Sequence, residues 1–391
     1  MPVTLHLYDP PNPGPRWFPF AGVRPLSELR AGIWRIRERW EGLLEAETLS
    51  IMADHVVGFH ELDEPEVVAT RTVNGPAVVA ASWFAPSGAP IEFGKDTRRL
   101  IHDGQTVAWL VAAGQSWTGP SDEGAAVEIE GLLLEGSADL LTALEGYLQG
   151  DCADFLTAPH DEIPDGCLVI GDPAEVVILG AAVEPGVVFD TRHGAVIVEE
   201  GTEVRCGTRL EGPFYAGARC RILGGHLRAS VLGPRSTVRG ELSNTVFLGF
   251  SNKSHDGFVG HSVLGTWVNL GAGTTTSNLK NTYGEVQLEV AGERLATGRQ
   301  FLGTIFGDHA KTGIGTLLST GTVVGAGANI FGAGPVPKYV APLAWGGVSA
   351  ERMDQPGFLR VAERVMPRRE IAFTPERRQS LEATWRRLSA G

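Results

Sequence analysis

Hydrophobic residues follow two different patterns along the chain, and the change falls near residue 160. In the first part, Val3, Leu5 and Leu7 alternate with polar residues, which predicts a β-strand. Hydrophobic residues at helical spacing come next, and they predict a helix capped by Ser27 that includes Leu26, Leu29, Ile33, Ile36, Trp40 and Leu43. Further strand-like runs, and a second helical pattern over 138–149 that ends at Gly150, complete an α/β arrangement.

In the second part, aliphatic residues recur every six positions. The clearest runs are Val198, Val204, Leu210, Ala216 and Ile222; Phe258, Leu264, Leu270 and Thr276; and Phe306, Thr312, Leu318, Val324 and Ile330. A period of six fits neither a helix nor a flat strand, and it is typical of the hexapeptide repeat of a parallel β-helix. Each hexad then forms one side of a triangular coil and turns one aliphatic side chain inward.

These patterns predict three units: an α/β domain with a linker helix over 1–160, a β-helix over 161–346, and a tail over 347–391. Breaks in the hexad phase predict excursions at 191–194, 224–246 and 279–303, and the last is expected to project as a loop or hairpin. In the tail, Thr374 and Pro375 suit the cap and first position of a short C-terminal helix.

Composition and charge narrow the choice of partners. The chain is 43% hydrophobic and 20% charged, which excludes a disordered protein, and its net charge of −13 disfavours nucleic acid or an anionic membrane as partner. Residues 351–391 nevertheless hold nine Arg against six Asp and Glu. This tail is therefore either a solvated helix face or a small cap that attracts anions. The N-terminus does not resemble a signal peptide, and the four cysteines lack a C-x-x-C pair, so a cytoplasmic protein is expected.

The densest group of polar residues lies within 251–281. His255 and His261 are six positions apart, so they occupy equivalent places on successive sides of the coil, and Asn269 and Asn278 follow within two coils. Acyl transfer from a thioester to an amine needs a base near neutral pH, and imidazole suits this role. Small amides such as these can orient an acyl or amino group.

Two other uses of polar side chains stay open. Zinc prefers nitrogen ligands in a tetrahedral array, and the coil offers His226, His255, His261 and His309. In the first part, Arg24 and Arg30 could hold phosphate groups as bidentate donors. The turn over 9–25 contains six prolines, which lack the backbone N–H, so it is not a conventional phosphate-binding loop.

The stretch HDGFVGHSVLGTWVNLGAGTTTSN, from His255 to Asn278, resembles without gaps part of a known family. This is the bifunctional bacterial N-acetylglucosamine-1-phosphate uridylyltransferase/glucosamine-1-phosphate acetyltransferase family. The whole chain is similar to an alternate bacterial branch of it, through RPLSELRAGIWRIRERWE, NLGAGTTTSNLKN, GDHAKTGIGT and GTVVGAGANIFGAG. The resemblance implies a shortened, Rossmann-like nucleotidyltransferase domain, then a left-handed β-helix that assembles as a homotrimer.

The same resemblance implies an acetyl-CoA-dependent N-acetyltransferase that acts on an amino-sugar phosphate similar to glucosamine-1-phosphate. By the match, His255 is the general base, Asn278 orients the acceptor amine and Asn269 contacts the sugar phosphate. Ala272, with Gly271 and Gly332, would lie along acetyl-CoA. Two positions depart from the better-known branch: Phe258 replaces a tyrosine, and Ser243 replaces a substrate-binding lysine whose charge could come from Arg239, Lys253, Lys280 or Lys311.

Nucleotidyl transfer is implied more weakly. The first part lacks the G-x-G-T-R-M loop of the better-known branch, and Asn74-Gly75 is matched to its magnesium-binding Gly-Asp. Mg²⁺ would be needed if transfer from an NTP, giving a UDP-sugar, still operates. The alternatives are a sugar-1-phosphate nucleotidyltransferase whose β-helix mainly drives trimerisation, and a non-catalytic sugar-nucleotide-binding scaffold.

Overall fold

The computed structural model describes residues 4–94, 96–346 and 351–390. Its first part contains helices α1 (Ile36–Leu44) and α2 (Asp139–Ala153) and 3-10 turns at Pro15–Trp17, Leu26–Glu28 and Asp54–Val56. The strands of this part are β1 (Thr4–Tyr8), β2 (Arg30–Ala31), β3 (Trp34–Arg35), β4 (Thr48–Met52), β5 (Glu66–Val68), β6 (Val73–Asn74), β7 (Ala77–Ala81), β8 (Phe84–Pro86), β9 (Thr97–His102), β10 (Gln105–Val111), β11 (Ser116–Trp117), β12 (Ala125–Glu128) and β13 (Gly131–Leu133).

A mixed sheet organises the first part, with strands in the order β12-β9-β10-β7-β1-β4-β5. Strand β1 lies parallel to β4 and β7, whereas β10 runs antiparallel to both of its neighbours. On one face, Leu5 and Leu7 pack with Trp40 of α1 and Leu141 of α2, all of them fully buried. The first strand and the α/β arrangement predicted from the sequence are therefore confirmed.

The first helix begins at Ile36, so the prediction of a helix from Leu26 capped by Ser27 is wrong. Gly32 has φ of 72° and turns the chain between β2 and β3. A Cβ on Gly32 would lie 2.2 Å from Oδ2 of Asp151, so the turn fits closely against α2. Buried residues on both sides of that turn imitate helical spacing. Helix α2 also continues past Gly150, to Ala153.

The second part is a parallel coil. Its strands are β14 (Leu168–Ile170), β15 (Val176–Ile178), β16 (Ala182–Val183), β17 (Val188–Asp190), β18 (Val196–Val198), β19 (Glu203–Val204), β20 (Thr208–Glu211), β21 (Phe214–Ala216), β22 (Arg221–Arg228), β23 (Val231–Leu232), β24 (Thr237–Ser243), β25 (Val246–Phe247), β26 (Asn252–Lys253), β27 (Phe258–Gly260), β28 (Val263–Leu264), β29 (Asn269–Leu270), β30 (Thr275–Thr276), β31 (Gln287–Val290), β32 (Glu293–Ala296), β33 (Thr304–Phe306), β34 (Lys311–Thr312), β35 (Leu317–Leu318), β36 (Thr322–Val324), β37 (Asn329–Ile330) and β38 (Tyr339–Val340).

Three faces of this coil matter for the site. Face A contains β26, β29, β34 and β37; face B contains β27, β30 and β35; and face C contains β25, β28, β33 and β36. The strands of faces A and C pair in parallel, and so do β30 and β35 of face B, while β27 pairs in parallel with β24. This pairing confirms the parallel β-helix. Hexad residues such as Leu210, Leu264 and Phe306 point into the coil and are fully buried. Phe258 is an exception, because Val259 takes the inward position and Phe258 faces outward.

The first part of the chain covers face C. Val246, Val263 and Ile305 point outward from this face and belong to the same core as Leu141 and Leu144 of α2. Their neighbours in the strands point into the coil, so the face is apolar on both sides and joins the two cores. The outward surfaces of faces A and B are left for other contacts.

Two of the predicted excursions can be compared with the strands. The excursion over 279–303 contains the antiparallel hairpin of β31 and β32, as predicted. The excursion over 224–246 is wrong, because β22 and β24 continue around a corner of the coil in parallel pairing. In this region Gly225 stacks on Gly240 of the next strand. A Cβ on Gly225 would lie only 2.0 Å from the backbone oxygen of Gly240, so glycine is required where the long strands bend.

The tail forms two helices, α3 (Gln355–Val365) and α4 (Pro375–Ala390), joined by a 3-10 turn, Met366–Arg369. The N–H of Arg377 donates to Oγ1 of Thr374 at 3.4 Å, which confirms the predicted helix start. Met366 packs against Phe250 and Trp267 of the coil. Among the described helices, none has the length and hydrophobicity that a bilayer span requires. The unit boundaries after residues 160 and 346 stay predictions.

Candidate functional site

A groove of about 920 Å³ runs between face A and the end of α3. Its floor includes outward-facing residues that lie in register on successive strands: Thr237 pairs with Asn252, Asn252 with Asn269, and Asn269 with Lys311. Nδ2 of Asn252 donates to Oδ1 of Asn269 at 2.9 Å. The two amides therefore hold each other in a fixed orientation at the base of the groove.

His255 lies at the corner between face A and face B, and its exposed side chain lines the groove together with Asn269. Beneath the corner, Nζ of Lys253 donates to the backbone oxygens of His255, at 2.7 Å, and Arg239, at 2.9 Å. Lys253 is 1% exposed, and burial lowers its pKa to about 8. Lys253 thus supports the corner from inside the coil, which corrects its expected substrate-binding role.

Positive charge borders the groove from two elements. Arg369 extends Nη2 to Oδ1 of Asn252 at 3.3 Å, which connects the tail to the amides of the floor. No carboxylate occurs among the described residues that line the groove. The cationic residues that line it are Arg221 of β22, Lys311 of β34, and Arg364, Arg368 and Arg369 at the end of α3 and in the turn after it.

A second group of predicted residues meets on face B. Phe258 and Asn278 both lie against Gly260, and Nδ2 of Asn278 donates to Nδ1 of His261 at 2.8 Å. Burial and then the positive charge of Arg299 lower the pKa of His261 to about 4. His261 is therefore neutral at pH 7 and can accept the Asn278 hydrogen bond. The structure thus brings His255 together with Asn269, and places Asn278 with Phe258 on the neighbouring face.

Of the alternatives for the missing lysine charge, Lys311 lines the groove. Nζ of Lys311 donates to the backbone oxygen of His309 at 3.1 Å, and burial lowers its pKa to about 8. Arg239 instead forms an ion pair with Asp256 at 3.1 Å, and Lys280 bonds to a backbone oxygen in the 279–303 excursion. Neither Arg239 nor Lys280 lines the groove.

Arg24 is not placed to bind phosphate. Its side chain is 3% exposed, Nε donates to Oδ2 of Asp308 at 2.8 Å, and Nη2 donates to Oε2 of Glu61 at 2.8 Å. Nη2 also donates to Thr266 at 2.8 Å, so this arginine joins the first part of the chain to the coil. Arg30 is half-buried and bonds to backbone oxygens. We therefore assign Arg24 to the interface between the two parts.

The residues matched to the acetyl-CoA path lie on the later coils. A Cβ on Gly271 would lie 2.6 Å from the backbone of Gly313, so close stacking of the coils accounts for this glycine. The backbone oxygen of Ala272 accepts the N–H of Gly315 at 2.8 Å. Gly332 lines a separate depression of about 810 Å³ over 315–319 and 330–336, and a Cβ there would meet open space. Its φ of 102° accounts for the glycine at this position.

The donor set of the first part does not fit a magnesium site. Asn74-Gly75 precedes β7, and the residue that follows this strand is Ser82. Asp9 is fully buried, and its Oδ2 already bonds to the N–H of Leu26 at 2.8 Å and to Nε2 of His55 at 2.9 Å. Across the described ranges, no group of three or more His, Cys, Asp or Glu could hold a metal ion. The zinc ligand set suggested by the sequence does not converge either.

Sequence reasoning did not identify Asn252, Arg364, Arg368 and Arg369 as site residues. The positive tail was the only signal that pointed to the arginines, and it did not show that they would lie near His255. Asn252 and Asn269 lie seventeen positions apart, at the same place in successive coils, and this spacing was the available signal for the amide pair.

The fold and the groove define an α/β nucleotidyltransferase-like domain joined to a parallel β-helix. Residues 6–158 match the sugar nucleotidyl transferase family. The chain is 34% identical over 142 residues to a bifunctional sugar-1-phosphate nucleotidylyltransferase/acetyltransferase of Sulfurisphaera tokodaii, covering 35% of each chain. It is also 32% identical over 138 residues to the bifunctional protein GlmU of Methanococcus aeolicus, covering 34% of this chain and 33% of that protein. The chain thus matches these curated relatives over about a third of their length.

Proposed function

We propose that this protein is an N-acetyltransferase that transfers the acetyl group of acetyl-CoA to the amine of an amino-sugar phosphate, in the class of glucosamine-1-phosphate. The observation that carries the proposal is the groove itself, in which His255 lies with paired amides and cationic side chains. An imidazole, fixed amides and several cationic side chains suit the three needs of this reaction: a base, orientation of the acceptor, and recognition of a phosphate.

In this proposal the His255 imidazole takes a proton from the acceptor amine. The nitrogen lone pair attacks the acetyl carbonyl carbon, a C–N bond forms and the C–S bond breaks. The proton that His255 took from the amine then passes to the leaving thiolate, which departs as the thiol of coenzyme A. The hydrogen bond from Lys253 to the backbone of His255 holds the corner that carries the base. The amide of Asn269 contacts the sugar phosphate, and Asn278 orients the amine from face B, where Phe258 contacts the acceptor.

The acetyl-CoA arm is proposed to follow the glycine-rich edge of the later coils, past Gly271 and Ala272 to the depression that contains Gly332. This edge exposes backbone and small side chains, which a thin ligand can approach closely. Apolar side chains next to it are open to solvent, with exposures of 86% for Ile314 and 69% for Leu317. We propose that neighbouring copies cover them in a homotrimer. The cysteines of the described chain are free, which fits a cytoplasmic protein.

The test is release of coenzyme A thiol from acetyl-CoA with glucosamine-1-phosphate as acceptor. We expect His255→Ala to lower kcat by about 100-fold or more, because a positioned general base contributes about 10²–10⁴-fold. His193→Ala is the matched control, since His193 is exposed and lies outside the groove. A His255→Ala enzyme as active as the wild type would overturn the assigned role.

A second activity is favoured by the family match over residues 6–158: nucleotidyl transfer from an NTP to a sugar-1-phosphate. It is either coupled to acetylation, giving a UDP-sugar, or the only activity, with the coil mainly driving trimerisation. Pyrophosphate release from UTP or dTTP, measured on the wild type and on His255→Ala, separates these cases. Thiol release without pyrophosphate release supports acetyl transfer alone, and pyrophosphate release without thiol release supports the alternative.

A further inference from the structure

Three arginines, Arg364 at the end of α3 and Arg368 and Arg369 in the turn after it, line the groove. Within the described residues, Arg364, Arg368 and Arg369 form no ion pair. Of the other tail arginines, Arg378 lies 3.9 Å from Glu363 and Arg387 donates to the backbone oxygen of Gly22 at 3.1 Å. The exposed Arg360 does not line the groove. What sets these three arginines apart is that they gather in one groove, and the described residues that line this groove include no carboxylate.

The turn that carries two of these arginines is held against the coil. Met366 is buried against Phe250 and Trp267, and Nη1 of Arg235 donates to the backbone oxygen of Arg369 at 2.8 Å. Nη2 of Arg369 also donates to Oδ1 of Asn252. The positive charges are therefore placed before any ligand arrives, which reduces the entropy lost on binding.

Like charges gathered without counter-ions are costly unless an anion joins them. Burial, then Arg368 and then Arg221, lower the pKa of Arg369, which shows that its charge is opposed by its surroundings. Face A brings Lys311 to the opposite side of the same groove. A phosphate group carries two negative charges and several acceptor oxygens, and guanidinium groups match its geometry bidentately.

We propose that Arg364, Arg368, Arg369 and Lys311 form a phosphate-binding site. The C-terminal tail then contributes ligand-binding residues to the groove. The ligand is a phosphate ester that enters the groove beside His255. It is either the phosphate of the amino-sugar acceptor or a phosphate of coenzyme A, and the assignment to one of these rests on the proposed function.

The first experiment compares Arg364→Gln/Arg368→Gln with Arg360→Gln, all in the full chain. Arg364 and Arg368 are exposed, so their loss leaves the fold intact, and Arg360 is an exposed arginine of α3 that does not line the groove. Calorimetry with glucosamine-1-phosphate and with coenzyme A should show at least a tenfold weaker Kd for one of the two ligands in the double variant. Arg360→Gln should leave both values unchanged.

Steady-state kinetics then show which substrate places its phosphate in this site. A raised KM for glucosamine-1-phosphate alone assigns the site to the acceptor, and a raised KM for acetyl-CoA alone assigns it to the cofactor. With unphosphorylated glucosamine, the first assignment expects equal kcat/KM in variant and wild type. Arg369→Lys is a second variant, which keeps the charge but loses the planar fork, and it should weaken binding of the same ligand.

Kd values for both ligands that match the wild type in the double variant and in Arg369→Lys would overturn the site. Failure of the proposed function gives a different result: a wild-type protein that transfers no acetyl group to any amino-sugar phosphate. Calorimetry does not require turnover, so the phosphate site can be judged in either case.

Discussion

Lys253 shows what a single residue contributes to the site. It is an ammonium enclosed by the coil, and burial lowers its pKa to about 8 from an ordinary value of 10.5. Between these values the unfolded chain binds more protons than the folded chain, so this lysine makes the free energy of unfolding rise with pH. We expect the stability of the wild type, relative to Lys253→Met, to increase between about pH 8 and pH 10.5.

Denaturant unfolding of both proteins at pH 7.5 and pH 10 measures this difference. Lys311→Met provides a second test of the same effect, because burial also lowers the pKa of Lys311 to about 8. Each single variant should remove the part of the pH dependence of the free energy of unfolding that its lysine contributes. The double variant should remove both parts. A difference between wild type and Lys253→Met that stays constant over this range would contradict the expected burial of the charge.

At the scale of the element, the corner between faces A and B depends on Gly257. Its φ is 131°, and a Cβ there would lie 2.2 Å from the backbone oxygen of Thr274 in the next coil. Gly257→Ala should therefore cost about 1–3 kcal/mol or more of stability, and it should lower kcat because His255 lies on the same corner. Thermal unfolding and thiol release are the measurements.

Gly207→Ala is the control for this corner. Gly207 has φ of 75°, but a Cβ there would meet nothing within 4 Å, so only the positive φ is tested and the cost should be roughly 1 kcal/mol. Equal losses in the two variants would show that stacking of the coils does not constrain the His255 corner.

The coil could be predicted because its repeat is local: each hexad turns one residue inward, and Leu264, Phe306 and Val324 follow that rule. The helix predicted from Leu26 was wrong because buried residues on both sides of a glycine turn imitate helical spacing. The wall of the groove could not be predicted, since Arg369 reaches Asn252 from 117 positions away and no local pattern records that contact. The motif located His255 and Asn269 but not the residues opposite them.

At the scale of the whole molecule, the two parts of the chain are joined by charge as well as by the apolar contacts of face C. Arg24 from the first part bonds to Asp308 of the coil, and Glu61 accepts from both Arg24 and Nε1 of Trp267. Trp267 also lines the groove. The first part of the chain therefore helps to position a residue that lines the groove. Loss of this hydrogen-bond network should lower the stability of the protein and also disturb the groove.

Replacing Arg24 tests that connection. Arg24→Met leaves the buried Asp308 and the partly buried Glu61 without their cationic partner, which should cost roughly 3–5 kcal/mol. Burial already raises the pKa of Asp308, and loss of Arg24 raises it further, so the folded variant binds more protons than the unfolded chain. Its stability therefore falls as pH rises, and the loss measured by denaturant unfolding should be smaller at pH 5 than at pH 8.

Arg205→Met is the control. The Arg205 guanidinium lies 3.9 Å from Glu203 at the surface, and its loss should cost less than about 1 kcal/mol. A loss in Arg24→Met no greater than in Arg205→Met would mean that the buried charges do not hold the two parts together.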